Sequence, residues 1–452
     1  MGILLKVLLP SLVAFFAYRY VTKEDVNVVI DENAYFGAGL KKPDDPKIVP
    51  FKIQVPEEIL VDLKNRLKSS RIGHNQLEDS NNFYYGMNLN HLQKIKEYWL
   101  TKYDWRKIEA IFNSFPNFKT QIEGLQVHFI HSKAAPGYKK VFPLLVVHGW
   151  PGSVYEFHKF IPILNNPKKH GINVDFAFDV VAPSIPGYGW SEQPKKTGFS
   201  QLAAARVFRK LMERLGHKKF YCQAGDWGAV ITKLITAVWP EQVFGLHNNM
   251  LAVESHKNLF ATLHEIVGSL FPSVFFSSEN IKYNFFEKFK TLIIETGYMH
   301  IQATKPDTIG VPLNDSPIGL AAYFLEKISA WTNNVDKKLP DGGLNKKFTN
   351  DELLTMVMVY WVNQNIVSSQ RFYREFFLDK KLDAVLNRYI SVPTGHASGT
   401  KEIYDLLPVE IGRHYFNITH YVEIDMGHFA ALEAPKPLAK SVFQFVGDLE
   451  NL

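Results

Sequence analysis

The sequence predicts an α/β fold: one mainly parallel sheet, interrupted once by a block of helices. Three observations predict it. Short apolar runs such as "VFPLLVVHGW" (141–150) and "FAFDVVAPS" (176–184) stop abruptly at turns, as strands buried on both faces do. Helical stretches separate these runs, the alternation expected of βαβ units. From about residue 253 to 385 the strand signal gives way to aromatic-rich helical segments, "NLFATLHEIVGSLF" and "ELLTMVMVYWVNQNIV" among them. It then returns in "YISVPTGHAS" and "THYVEIDMGHF".

The chain opens with "MGILLKVLLPSLVAFFAYRYVTKEDV", apolar from Ile3 to Tyr20 except at Lys6 and Pro10. A spanning helix needs about 20 apolar residues, with tilt and flanks allowing about 17. Phe15 spoils an A-x-A-like cleavage site, so residues 1–22 are expected to be an uncleaved single-pass anchor. Lys6 stands where a myristoylation motif needs Ser or Thr. The flanking charge does not set an orientation, and sequons at Asn314 and Asn417 matter only if the body faces a lumen. Residues 23–124 follow as a strap of extended chain and helices; in it Ile59, Leu60, Leu63, Leu67 and Ile72 recur at roughly helical spacing. The first part of the core (125–252) carries strands "LQVHFIHSK", "VFPLLVVHGW", "FAFDVVAPS", "KFYCQAGD" and "VFGLHNNM"; residues 253–385 form the helical insertion, and 386–452 complete the core.

Composition limits the function classes. The 452 residues are 46% hydrophobic, enough for a large core and against disorder. A net charge of +6 without a Lys/Arg block or an aromatic-basic pattern argues against a nucleic-acid partner. One cysteine, Cys222, excludes an intramolecular disulfide framework and a cysteine-rich metal site; its place in a core strand suits burial. The Rossmann glycine fingerprint is absent.

Open α/β sheets bind ligands beyond the carboxyl ends of their strands. Four segments fall there. "HGWPGS" (148–153) has glycines at 149 and 152 that let backbone N–H groups face inward. "SIPGYGWS" (184–191) reads best as turn packing. "CQAGDWGAV" (222–230) has the strand–turn–helix outline of a nucleophile elbow, with Ala224 and Gly228 as its small neighbours, but carries Asp226 in place of serine. "DMGHFAALEAP" (425–435) places His428 after a strand, downstream of the elbow.

Together "HGWPGS", "AGDWG", "GYMHIQATKPDT", "RFYRE", "VPTG" and "MGHFAALEAP" resemble the microsomal epoxide hydrolases of the α/β-hydrolase superfamily, and within them the insect juvenile hormone enzymes. The likeness covers nearly the whole chain. It implies an α/β-hydrolase fold with a helical cap, an N-terminal strap and a membrane anchor. It further implies a lipophilic epoxide substrate, water as co-substrate, residence in the endoplasmic reticulum membrane, and no cofactor or metal.

The resemblance explains the aspartate. An epoxide carbon is saturated, so attack is a displacement. Serine would form a stable ether, whereas a carboxylate forms an ester that water can hydrolyse. Asp226 is thus the expected nucleophile, favoured as an anion at a helix N-terminus. His428 is expected to activate water, with Glu402 as its acid partner and Asp405 in reserve. Backbone N–H groups of Trp150 and Trp227 are expected to hold the oxyanion. Tyr298 and Tyr373, from the insertion, are expected to protonate the epoxide oxygen, a phenol (pKa about 10) being protonated at neutral pH. A haloalkane dehalogenase shares the Asp, Trp and His but has no use for the tyrosines. An esterase is disfavoured by Asp226, and a non-catalytic hydrophobic-ligand binder by the completeness of the catalytic set.

Overall fold

A computed structural model of the protein describes residues 28–73, 75–254, 257–277, 283–403 and 407–452. The expected anchor (1–22) and Asp405 lie outside the described residues. Among the described residues, no helix is long and apolar enough to cross a membrane.

Nine strands form one sheet: β1 (Val49–Pro50), β2 (Asn117–Ile122), β3 (Leu125–Ser132), β4 (Lys140–Val147), β5 (Phe176–Pro183), β6 (Phe220–Ala224), β7 (Val243–Asn248), β8 (Ile390–Gly399) and β9 (Phe416–Ile424). Their spatial order is β1-β2-β3-β5-β4-β6-β7-β8-β9. The first three pairings across the sheet are antiparallel, and every pairing from β5 onward is parallel. Leu144 to Val146 of β4 and Val180 to Ala182 of β5 are fully buried, as the uninterrupted apolar runs require. Cys222 is buried in β6, and burial pushes its thiol up, away from reactivity.

Helix α1 (Gln201–Arg214) packs beside α2 (Asp226–Val238), and α2 runs back along β4, β6 and β7. A Cβ at Gly228 would overlap the Val147 carbonyl of β4, so this close helix–strand contact needs glycine.

Between β7 and β8 the described residues form helices, including α3 (Gly297–Thr304), α4 (Pro317–Asn333), α5 (Asn350–Asn363) and α6 (Ile366–Leu378). The periodic stretch "ELLTMVMVYWVNQNIV" breaks between α5 and α6, where Gln364 adopts φ 49°. The "SIPGYGWS" turn holds this block to the core: the Tyr188 hydroxyl donates to the Ser369 carbonyl of α6 (3.0 Å). The last helix, α7 (Pro435–Glu450), lays Phe445 over Gly245 and Gly395.

Two features lie N-terminal to residue 125. The helix Glu57–Ser69 buries Leu60, Leu63 and Leu67, while Ile72 falls past its end. β1 and β2 extend the sheet rather than merely wrapping it. At the β2–β3 turn Glu123 forms a buried pair with Arg206 of α1 at 2.6 and 2.7 Å. Lys210 joins Glu123 at 2.9 Å, so it is loss of Glu123 that would strand the buried Arg206 charge.

Candidate active site

Four parallel strands, β4, β6, β8 and β9, deliver their following turns to one edge. The turn after β6 puts Asp226 first in α2, with the backbone left-handed at φ 49°. Gly225 before it is packed so closely that a Cβ would run into Asn249.

The turn after β4 meets this carboxylate. The Trp150 N–H donates to Asp226 Oδ1 at 2.7 Å. A Cβ at Gly149 would overlap the Asp226 carboxylate, and one at Gly152 would overlap Glu156. These two glycines provide clearance, and between them the Trp150 N–H faces inward. His148 braces the turn: its Nε2 accepts from the Ile185 N–H (3.2 Å) and its Nδ1 faces the Gly149 carbonyl (2.9 Å). Burial pulls its pKa down to about 4, so it stays neutral. Trp227, second in α2, carries one of the first-turn N–H groups for which the helix has no internal acceptor.

His428, after β9, bridges two carboxylates. Its Nδ1 lies 2.8 Å from Glu402 Oε2, and its Nε2 lies 3.2 Å from Asp226 Oδ2. Glu402, in the turn after β8, is 1% exposed and His428 5%. Burial pulls the imidazole pKa down, but the Glu402 charge and then the Asp226 hydrogen bond outweigh it and hold it well above the ordinary value. The His428 N–H donates to the Trp331 carbonyl of α4 at 3.0 Å. Gly427 allows that approach, since a Cβ there would overlap this carbonyl. Glu433 clamps the loop, its two oxygens accepting from the Gly427 and Phe429 N–H groups at 2.9 Å each. Sequence reasoning missed Glu433, although it lies within the motif that pointed to His428.

The insertion brings Tyr298 (α3) and Tyr373 (α6) to the same place. Both are buried, with rings edge-to-face at 5.9 Å and 82°. Trp150 joins them, stacked on Tyr298 (5.5 Å, 7°) and edge-on to Tyr373 (5.8 Å, 87°). Trp227 meets Tyr373 at 4.7 Å. The two residues expected to offer oxyanion N–H groups thus also brace the phenols through their side chains. Burial pushes the Tyr373 phenol well above its ordinary range; the neighbouring Tyr298 and Asp226 add to the rise, so it remains protonated at neutral pH. Among the described residues, no group of three or more His, Cys, Asp or Glu side chains could hold a metal ion.

Comparison with known proteins gives a consistent result. The family model described as "Epoxide hydrolase N terminus" matches residues 48–157, and that of the alpha/beta hydrolase fold matches residues 143–288. Epoxide hydrolase 1 of Sus scrofa is 44% identical over 459 residues, covering 99% of each chain. Juvenile hormone epoxide hydrolase 1 of Ctenocephalides felis is 40% identical, covering 95% of this chain and 92% of its own. The crystal structure of juvenile hormone epoxide hydrolase from the silkworm Bombyx mori superposes with a TM-score of 0.87 at 38% identity, covering 93% of this chain and 99% of that one. With relatives of this identity aligned over nearly its whole length, the chain belongs to the epoxide hydrolase family and is built on the α/β-hydrolase fold.

Proposed function

We propose that this enzyme opens a lipophilic epoxide to the vicinal diol through a covalent ester on Asp226. The observation that carries the reading is the Asp226–His428–Glu402 array facing two buried tyrosines. In the proposed cycle Asp226 Oδ2 attacks an epoxide carbon, and the C–O bond to the ring oxygen breaks. A tyrosine protonates that oxygen and regains its proton, in net terms, from the histidine. His428, now neutral, accepts a proton from water as the water attacks the ester carbonyl. Oδ1, held by the Trp150 N–H, carries the developing oxyanion together with the Trp227 N–H. Hydrolysis restores the aspartate anion and the imidazolium, so one proton circulates per turnover.

Glu402 then acts through His428 by orienting its ring and stabilising its charge. Glu402→Gln is expected to slow ester hydrolysis more than alkylation, so the ester accumulates. Quenched-flow mass spectrometry of the peptide bearing Asp226 checks this; if Asp405→Asn gives this phenotype and Glu402→Gln does not, the acid is Asp405.

The substrate we infer is a terpenoid epoxide of the juvenile hormone type, supported by the relatives that carry that name. Identity to epoxide hydrolase 1 supports a second reading, broad detoxification of epoxides. A panel measuring kcat/KM for a terpenoid epoxide against small aryl epoxides separates them: a preference for the aryl compounds would favour the second.

Membrane residence in the endoplasmic reticulum, with residues 1–22 as anchor, belongs to the same proposal. The apolar run supports it, and so do exposed side chains on neighbouring helices: Phe260, Leu270, Val274, Phe286 and Ile293 are each 60–75% exposed. Deleting residues 1–22 is expected to convert an alkaline-carbonate-resistant protein into an extractable one, with turnover within about twofold. An intact chain soluble without detergent would argue against the anchor. We propose likewise that residues 23–124, 125–252, 253–385 and 386–452 act as strap, first core segment, cap and second core segment.

A further inference from the structure

A small cavity of about 20 Å³ lies against the catalytic array, lined by Gly149, Trp150, Glu156, Gly225, Asp226 and His428 among others. A water needs roughly 10–15 Å³ of such space, so the cavity suits one. Neither Tyr298 nor Tyr373 lines it. Its walls hold the ester-forming carboxylate, the base, His148, whose two ring nitrogens are already engaged by the Gly149 carbonyl and the Ile185 N–H, and Glu156, a titratable side chain that the proposed cycle leaves without a task.

Glu156 sits in the turn that follows the Trp150 segment, and "SVYE" there forms a reciprocal capping box. The Tyr155 N–H donates to the Ser153 hydroxyl, and the Ser153 N–H donates to Glu156 Oε1 at 3.1 Å. Capping uses one carboxyl oxygen and leaves the other. Burial pushes this carboxyl up to about 8; His428 pulls it down, Asp226 pushes it up, the Ser153 N–H pulls it down, and Glu433 pushes it up. The groups facing it are thus the nucleophile, the base and the clamp of the base's loop. A carboxylate serving only as a surface cap would not be set among them.

The geometry points to this cavity as the site of the hydrolytic water, with Glu156 as the positioning residue that accepts the hydrogen of that water not taken by His428. The inference rests on the covalent reading proposed above. In the step, the water oxygen bonds to Asp226 Cγ and one proton passes to His428 Nε2. The tetrahedral intermediate expels the diol oxygen, which leaves with the proton returned by His428. The carboxyl so formed gives its proton back to His428, and Glu156 ends as it began. With burial pushing this carboxyl up to about 8, the ionised form that accepts the hydrogen gains population as pH rises through that value.

Glu156→Gln tests this. The glutamine oxygen can still accept from the Ser153 N–H, so the cap survives, but the other terminal atom becomes a donor and cannot take the hydrogen of the water. Full-length enzyme in excess over an aryl epoxide separates the two half-reactions. Loss of epoxide reports alkylation, and acid-quenched mass spectrometry of the Asp226 peptide reports ester decay. Alkylation is expected to stay within about twofold while ester decay slows by up to about 100-fold. Glu156→Asp, an acceptor one methylene short, should recover part of the decay rate. Ester decay at the unaltered rate in Glu156→Gln would overturn the assignment. Equal slowing of both half-reactions would also overturn it, leaving Glu156 a cap. Absence of any adduct in both Glu156→Gln and His428→Gln would instead overturn the covalent reading, and this inference with it.

Discussion

A single turnover in oxygen-18 water, with enzyme in excess, is expected to leave the first diol unlabelled and to put the label in Asp226. The reason is the source of the entering oxygen: in the proposed cycle it comes from the carboxylate, and water refills the carboxylate afterwards. Later turnovers then release labelled diol. His428→Gln should stall after alkylation, because the water loses its base, and its hydrolysis rate should fall by roughly 10²- to 10⁴-fold. The peptide containing Asp226 should gain the mass of the substrate. Direct attack of water on the epoxide makes opposite predictions: labelled diol in the first turnover and no adduct. That result would leave the fold and family in place and remove the ester from the mechanism.

The double change Tyr298→Phe with Tyr373→Phe is expected nearly to abolish alkylation. Loss of one donor aimed at developing charge costs on the order of 3 kcal/mol, about 10²-fold, in a preorganised site. Each single change should cost less, since the remaining phenol stands in the same aromatic enclosure. Phenylalanine keeps the ring contacts with Trp150 and Trp227, so the enclosure should hold its shape. Hydrolysis of an ester already formed should continue unchanged. Pre-steady-state epoxide consumption measures the first half-reaction, and decay of the preformed ester measures the second. Undiminished epoxide opening in the double variant would show that the phenols do not donate the proton.

Much of the sheet was legible because buried parallel strands leave an unbroken apolar run that ends at a turn; β4, β5 and β6 each read that way. β1 was not, since two residues carry no periodicity, and β2 is a short stretch with little apolar character. The gap between α5 and α6 was hidden because a single left-handed residue, Gln364, interrupts a pattern that is apolar on both sides. Asp226 and His428 stood out because their turns follow strands. Nothing local distinguishes Tyr298 or Tyr373 among 20 tyrosines; only likeness to a family singled them out. Glu156 reads along the chain as an ordinary S-x-x-E cap, and its second direction exists only once β4 and β9 bring their turns together. Glu433 was hidden for the same reason, its partners being backbone N–H groups that no side-chain pattern records.

The left-handed backbone at Asp226 has a consequence for how this protein can change. Glycine is the residue that conformation suits best, and aspartate is among the few others that tolerate it, which also disfavours the longer glutamate as a substitute nucleophile. On the role proposed for Asp226, the site holds a residue kept for its carboxylate against the preference of the main chain beneath it. Glycine at 226 would ease the main chain but give up the Trp150 and His428 contacts and, on that proposed role, the reaction with them, so a laboratory lineage screened only for survival has no reason to keep the carboxylate. Turnover has to be part of any screen that improves this fold.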